Sequence, residues 1–245
     1  MDRLIYTALT GLSARTRSQA VTANNLANAQ TTGFRREIIA AEGRYLTGGA
    51  VGSRAQSGAT SVATPKEAGK INATGRPLDI ALGGGAWLAI QGPVVNGNPT
   101  EAYTRRGDLD ISTSGILQNG DGKPVLNQNG VPITVPVGAT LAIAADGSLS
   151  TRIAGIDTII GKLKLVAGRD LEKGIDGMFT SKDPLPIDPS ARLASGALES
   201  SNVQTAGALA ELVEESRGFE VNARLLTVAK DMDERTARLM AMDSN

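Results

Sequence analysis

The chain has 245 residues, enough for one large domain or two small ones, and its 25 basic and 25 acidic side chains leave no net charge. A general attraction to nucleic acid or to an anionic membrane is therefore not implied. With neither cysteine nor histidine, disulfides, thiol nucleophiles, histidine bases and nearly all protein zinc sites are excluded.

The first predicted element is a helix over residues 2–28. Ile5, Leu9, Leu12, Thr16, Gln19, Ala23 and Leu26 recur at alternating spacings of four and three, a narrow and partly polar heptad seam. The segment LIYTALTGL resembles a secretory core, but Asp2 precedes it and Arg15 and Arg17 follow without a small-residue cleavage site. No cleaved signal is expected, and no apolar run reaches the eighteen residues of a membrane span.

The helix runs into NNLANAQTTGF, residues 24–34. Asparagine is a poor interior helix residue because its amide competes for backbone groups. The stretch reads as a helix ending in a docking turn. Asn28 suits a C-terminal cap, and Thr31, Thr32 and Gly33 continue the turn. The amides of Asn24 and Asn25 are expected to bond a neighbouring chain, with Leu26 and Phe34 as apolar anchors beside them.

A small, polar, Gly/Ser/Thr-rich stretch follows and reads as an extended connector. From about Arg76 to Pro189 the pattern is β-like. DIALGGGAWLAIQG reads as two strands around a triple-glycine hairpin turn. Further short strands are separated by Ser114-Gly115, Asp121-Gly122, Asn129-Gly130 and Asp146-Gly147. Short strands with frequent turns argue a compact antiparallel module.

The last element is a long helix from about Asn202, a plausible N-cap, through a proline-free run of helix formers. Its seam is Val203, Ala206, Ala210 and Val213, resuming as Val221, Leu225, Val228, Met232, Arg235, Leu239 and Met242, with Arg217 four residues from both Val213 and Val221. That step is a stutter. Residues 1–45 carry net charge +3 and residues 199–245 carry −4. The two ends are thus expected to pack together within or between subunits, charge setting partner choice more than stability.

Candidate chemistry is sparse. Gly83-Gly84-Gly85 lacks the Gly-Lys-Ser/Thr of a phosphate loop, and NGDGK at 119–123 lacks calcium-loop ligands. Asp108 and Asp110 read as solvated strand residues. No G-x-S-x-G or S-x-x-K motif occurs. A carboxylate-only hydrolase has no positive support. No catalytic, cofactor-binding or metal-binding residue is assigned, and no enzyme activity is expected.

NNLANAQTTGFRR resembles the N-terminal signature of bacterial flagellar rod and hook proteins, with Asn24, Asn25, Leu26, Ala27, Asn28, Thr31, Gly33 and Phe34 on the pattern. LDIALGGGAWLAIQG is similar to that family's strand pair, although Trp87-Leu88 stand where paired phenylalanines are usual. SGALESSNVQTAGALAELVEESRGFEVNARLL resembles its C-terminal helix, including Glu199, Ser201, Asn202, Val203, Arg217, Phe219, Glu220 and Asn222.

The resemblance implies a structural subunit of the flagellar rod in the periplasm, most like the proximal rod, with a distal-rod position as the alternative. It implies a helical tube transmitting torque to the hook and forming part of the export channel. Its partners would be copies of itself, other rod proteins and the flagellar type III export apparatus, with no nucleic acid and no direct membrane span. A secreted ligand-binding β module is the competing class. The expected fold is α+β, with paired N- and C-terminal coiled-coil-like helices and an inserted antiparallel β domain. The expected divisions are a helix and docking turn at 1–45, a connector at 46–75, an outer β domain at 76–197 and a C-terminal helix at 198–245.

Overall fold

A computed structural model describes residues 2–40, 43–45, 55–57, 61–63, 67–95, 97–153, 155–168, 171–174 and 176–242. The chain divides into two compact units. One comprises residues 1–29, 36–65 and 203–245, and the other residues 30–35 and 66–202.

The first unit contains two helices, α1 (Asp2–Ala27) and α2 (Thr205–Met242). Two short antiparallel pairs join them: Ile38–Ala40 with Ser61–Ala63, and Gly43–Tyr45 with Ala55–Ser57. Helix α2 starts three residues after the expected cap. The backbone carbonyl of Gln204 accepts the first helical bond, from Ala208 N at 2.9 Å.

The second unit is all β. A five-stranded antiparallel sheet runs in the order Leu165–Ala167, Ala86–Val95, Asn98–Thr104, Phe179–Thr180, Glu172–Lys173. A three-stranded meander of Thr140–Ile143, Ser148–Ile153 and Ile156–Lys162 lies in the same unit. Its first turn is built at Asp146-Gly147, where Gly147 has φ 85 and its N–H bonds Ala144 O at 2.9 Å, a backbone state that an L-residue rarely adopts.

The apolar run AWLAI becomes a strand buried on both faces. Leu88 and Ile90 enter the main core with Ile80, Leu82, Leu109 and Leu117. Ala89 and Trp87 face a second cluster with Tyr103, Val166 and Phe179. Side chains alternate across a strand, so a run without polar breaks fits only where both faces are covered.

The paired coiled-coil expectation is corrected. Among the described residues the chain is sheet-rich, with eighteen strands in seven sheets and two helices. The predicted seam lies largely outside the helix contact. Leu9, Val213, Val221, Leu225, Val228 and Met232 are all between 46% and 58% exposed. The more buried stripe of α2 runs through Ala208, Leu212, Glu215, Asn222, Leu226 and Ala229. In the second half it lies one residue after the predicted seam, a rotation of about 100° at 3.6 residues per turn. That stripe mixes Leu212 and Leu226 with alanines and polar residues and lacks the regular apolar a and d positions of a coiled coil. The contact with α1 includes polar bonds: Glu215 Oε1 accepts from Ser18 Oγ and, at 3.3 Å, from Thr22 Oγ1.

The triple-glycine hairpin is also corrected. Two strands do flank the turn, but Ile80–Leu82 pairs with Leu193–Ser195, and Ala86–Val95 pairs with Asn98–Thr104. A buried guanidinium, described next, bonds the carbonyls around that turn.

Candidate functional site

The predicted site residues fall into both units. In the helical unit, Asn25 is buried and clamps the segment after the turn. Its Oδ1 accepts from Glu37 N at 2.9 Å and its Nδ2 donates to Glu37 O at 2.8 Å. One amide thus reproduces the two bonds of a β-bridge residue pair. Asn28 sits at the helix end, as expected of a cap position, its Nδ2 donating to Asn24 O at 3.0 Å and Asn24 Oδ1 at 3.1 Å. Asn24 and Ala23 are exposed, and Leu12 and Leu26 are half-buried. The side chains of Ile5 and Leu239 lie outside the described residues.

On α2, the exposed residues Val213, Arg217, Phe219, Val221, Leu225, Val228 and Met232 lie away from the more buried stripe, whereas Asn222 is half-buried, as is Val203 just before the helix. Exposed apolar side chains scattered singly are ordinary; here Val221, Leu225, Val228 and Met232 recur along one face of the helix.

In the β unit, the turn at 30–35 is seated by backbone and side-chain bonds together. Gly33 has φ 67, and a Cβ there would overlap the backbone of Arg105, so only glycine fits. Gly33 N donates to Glu199 O at 2.7 Å, Phe34 N to Thr31 O at 3.2 Å, and Asn202 N to Phe34 O at 3.3 Å. The Lys173 ammonium sits 3.9 Å from the centre of the Phe34 ring and donates to Arg35 O at 2.8 Å, a cation over an aromatic face. Asn202 is not a helix cap; its Nδ2 donates to Glu67 O at 2.9 Å.

Beneath the turn lies a buried charge cluster. Glu199 is 1% exposed, Arg35 4% and Arg105 2%. Glu199 Oε2 accepts from Arg105 Nε at 2.7 Å and Nη2 at 2.5 Å. Its Oε1 accepts from Arg35 Nη2 and Gly69 N, each at 3.0 Å. Arg105 also donates to the carbonyls of Leu82 at 2.7 Å, Gly84 at 3.1 Å and Ala86 at 2.7 Å. It therefore satisfies three carbonyls at and beside the triple-glycine turn. Burial pushes the Arg35 guanidinium below its ordinary pKa; the Glu199 charge opposes this and the Arg105 charge adds to it.

The roles of Arg35, Arg105 and Lys173 were not legible as a cluster. The available signal was charge at the end of apolar patterns: TGFRR at 32–36 and YTRR at 103–106. Asp108 pairs with Arg106, at 2.7 and 2.9 Å, and does not face Asp110 as an acid dyad. Among the described residues no group of three or more acidic side chains could hold a metal ion, and no helix is long and apolar enough to cross a membrane.

Three family models match the chain: flagella basal body rod protein over residues 5–35, the flagellar hook protein FlgE/F/G D1 domain over 81–151, and the flagellar basal body rod FlgEFG protein C-terminal region over 194–239. The chain is 36% identical to the flagellar basal-body rod protein FlgF of Escherichia coli, over 99% of this chain and 100% of the relative. The FlgF of Salmonella typhimurium gives the same identity and coverage. The flagellar basal-body rod protein FlgG of Bacillus subtilis is 28% identical over 95% of this chain and 97% of its own length.

Proposed function

The chain belongs to the flagellar basal-body rod protein family, and on that premise we propose that the exposed stripe of α2 and the region of the docking turn are the surfaces through which it assembles. It is a structural subunit of the flagellar rod, FlgF-like and hence of the proximal rod, and it resides in the flagellar basal body. FlgG is a relative. Its partners are other flagellar rod proteins.

The finer reading has the subunit polymerising into a helical tube that crosses the periplasm, carries motor torque to the hook and encloses part of the export channel. Residues 1–45 and 198–245 would form the inner helical part, 46–75 the connector and 76–197 the outer β domain. The chain would leave the cell through the type III export apparatus, a route suited to a protein without disulfides to break. The role is mechanical and not catalytic.

One observation carries the assembly reading. The more buried stripe of helix α2 is a mixed one, Ala208, Leu212, Glu215, Leu226 and Ala229, while Val213, Val221, Leu225, Val228 and Met232 stay about half exposed. Surface substitution there costs the monomer little, within about 0.5 kcal/mol, so a charge should act on assembly alone. The expected result for Val221→Asp with Leu225→Asp is an unchanged melting curve, and failure to restore swimming or rods in cells lacking the native subunit. Normal motility with this double variant would refute the stripe as an assembly surface.

A further inference from the structure

We propose that Glu199 is a completion latch, which lets the N-terminal docking turn seat only after the last strand of the β unit has paired. The argument rests on what each partner would do without it. Arg35 and Arg105 are both buried, and their like charges meet at one carboxylate. Without the carboxylate they share, two buried like charges would lose the group that both of them bond, which is strongly unfavourable. The turn therefore cannot close over Arg105 until Glu199 arrives.

Glu199 lies at the end of strand Ala197–Glu199, which pairs with Ile71–Ala73. It is the final strand before α2. The backbone repeats the same dependence, because the carbonyl of Glu199 accepts the Gly33 N–H at 2.7 Å. Both the side chain of Arg35 and the main chain of Gly33 are thus held by a residue far along the sequence. The connector is drawn in as well, through Gly69 N on Glu199 Oε1 and Ser200 N on Lys70 O at 2.8 Å. Closing so long a loop comes late unless other pairings shorten it first. The strand pair Ala86–Val95 with Asn98–Thr104 is local and needs none of this.

The consequence is an ordered sequence within one chain: local sheet, then the Ala197–Glu199 strand, then the docking turn. A partly folded chain does not present an ordered N-terminal turn. This inference concerns the isolated chain and goes beyond the rod assignment, which its failure would leave intact.

The test is pulse-labelled hydrogen exchange on the full-length chain refolding from urea at high dilution. The expected result is that peptides covering 30–36 gain protection together with or after those covering 195–202, and after those covering 86–104. Protection of 30–36 before 195–202 would overturn the proposal. At equilibrium, Glu199→Gln should raise exchange across 30–36 at least tenfold while 86–104 stays protected; unchanged exchange at 30–36 would also overturn it. If that variant loosens the whole unit, Gly33→Ala, which leaves the charges in place, tests the direction of dependence. It should free 30–36 while 195–202 stays protected, and loss at 195–202 equal to that at 30–36 counts against a one-way latch.

Discussion

Replacing Arg105 by lysine keeps the charge and removes the fork. In the native cluster, Arg105 makes two bonds to Glu199 and one each to the carbonyls of Leu82, Gly84 and Ala86. A lysine ammonium has three donors at a single point. Holding Glu199 leaves it unable to span the triple-glycine turn, so about two of the three carbonyls lose their partner. A buried acceptor left unmade costs about 1–3 kcal/mol, which gives about 2–6 kcal/mol for Arg105→Lys. The separate and larger penalty for stranding Glu199 is avoided, because the positive charge remains. For a domain of this size about 1 kcal/mol moves the melting midpoint by roughly 2–4 °C, so a drop on the order of 10 °C is expected. Trp87, the single tryptophan, has its ring 5.9 Å from the Arg105 guanidinium, so its fluorescence during urea unfolding reports this site directly. A loss under about 1 kcal/mol with an unchanged slope would refute the reasoning, since the turn carbonyls would then have found other donors.

Leu88 is fully buried in the main core, and Leu88→Ala should cost about 2–5 kcal/mol by urea unfolding. Leu225→Ala on the exposed stripe of α2 should stay within about 0.5 kcal/mol. Burial chiefly, with Glu101 adding and the Leu185 N–H opposing, pushes the Tyr103 phenol up to about 12. An unfolded tyrosine ionises near its ordinary value of about 10, so the contribution of Tyr103 is complete below that pH and is lost as the pH rises from about 10 to 12. Ultraviolet titration of the phenolate should show a late step that Tyr103→Phe removes, and ionisation of every tyrosine near pH 10 in folded protein would contradict the buried placement.

Both terminal helices could be read from their periodicity and absence of proline, because helix formation is local and each residue votes through its own rotamer and backbone cost. Turn glycines such as Gly147 were readable for the same reason: a positive φ is a property of one position. The docking turn was readable as a place, since Gly33 and Phe34 interrupt the helix with residues that only a specific turn wants.

Its partners were not. The amides of Asn24 and Asn25 were expected to serve a neighbouring chain, whereas Asn25 bonds Glu37 and Asn24 accepts from Asn28. The sequence pattern left open whether the face of Val221, Leu225 and Val228 packs within or between subunits, because periodicity marks an apolar face without naming its partner. Inside this unit, the more buried stripe combines Ala208 and Ala229 with Leu212, Glu215 and Leu226, and Val221, Leu225 and Val228 remain outside. Composition, local helices, turns and family signature were thus determined by the chain read in order. Which strands pair around the triple glycine, and which two arginines share Glu199, were decided only in three dimensions. A guanidinium's bonds join residues with no common period, and the burial that makes those bonds strong exists only once the sheets have closed.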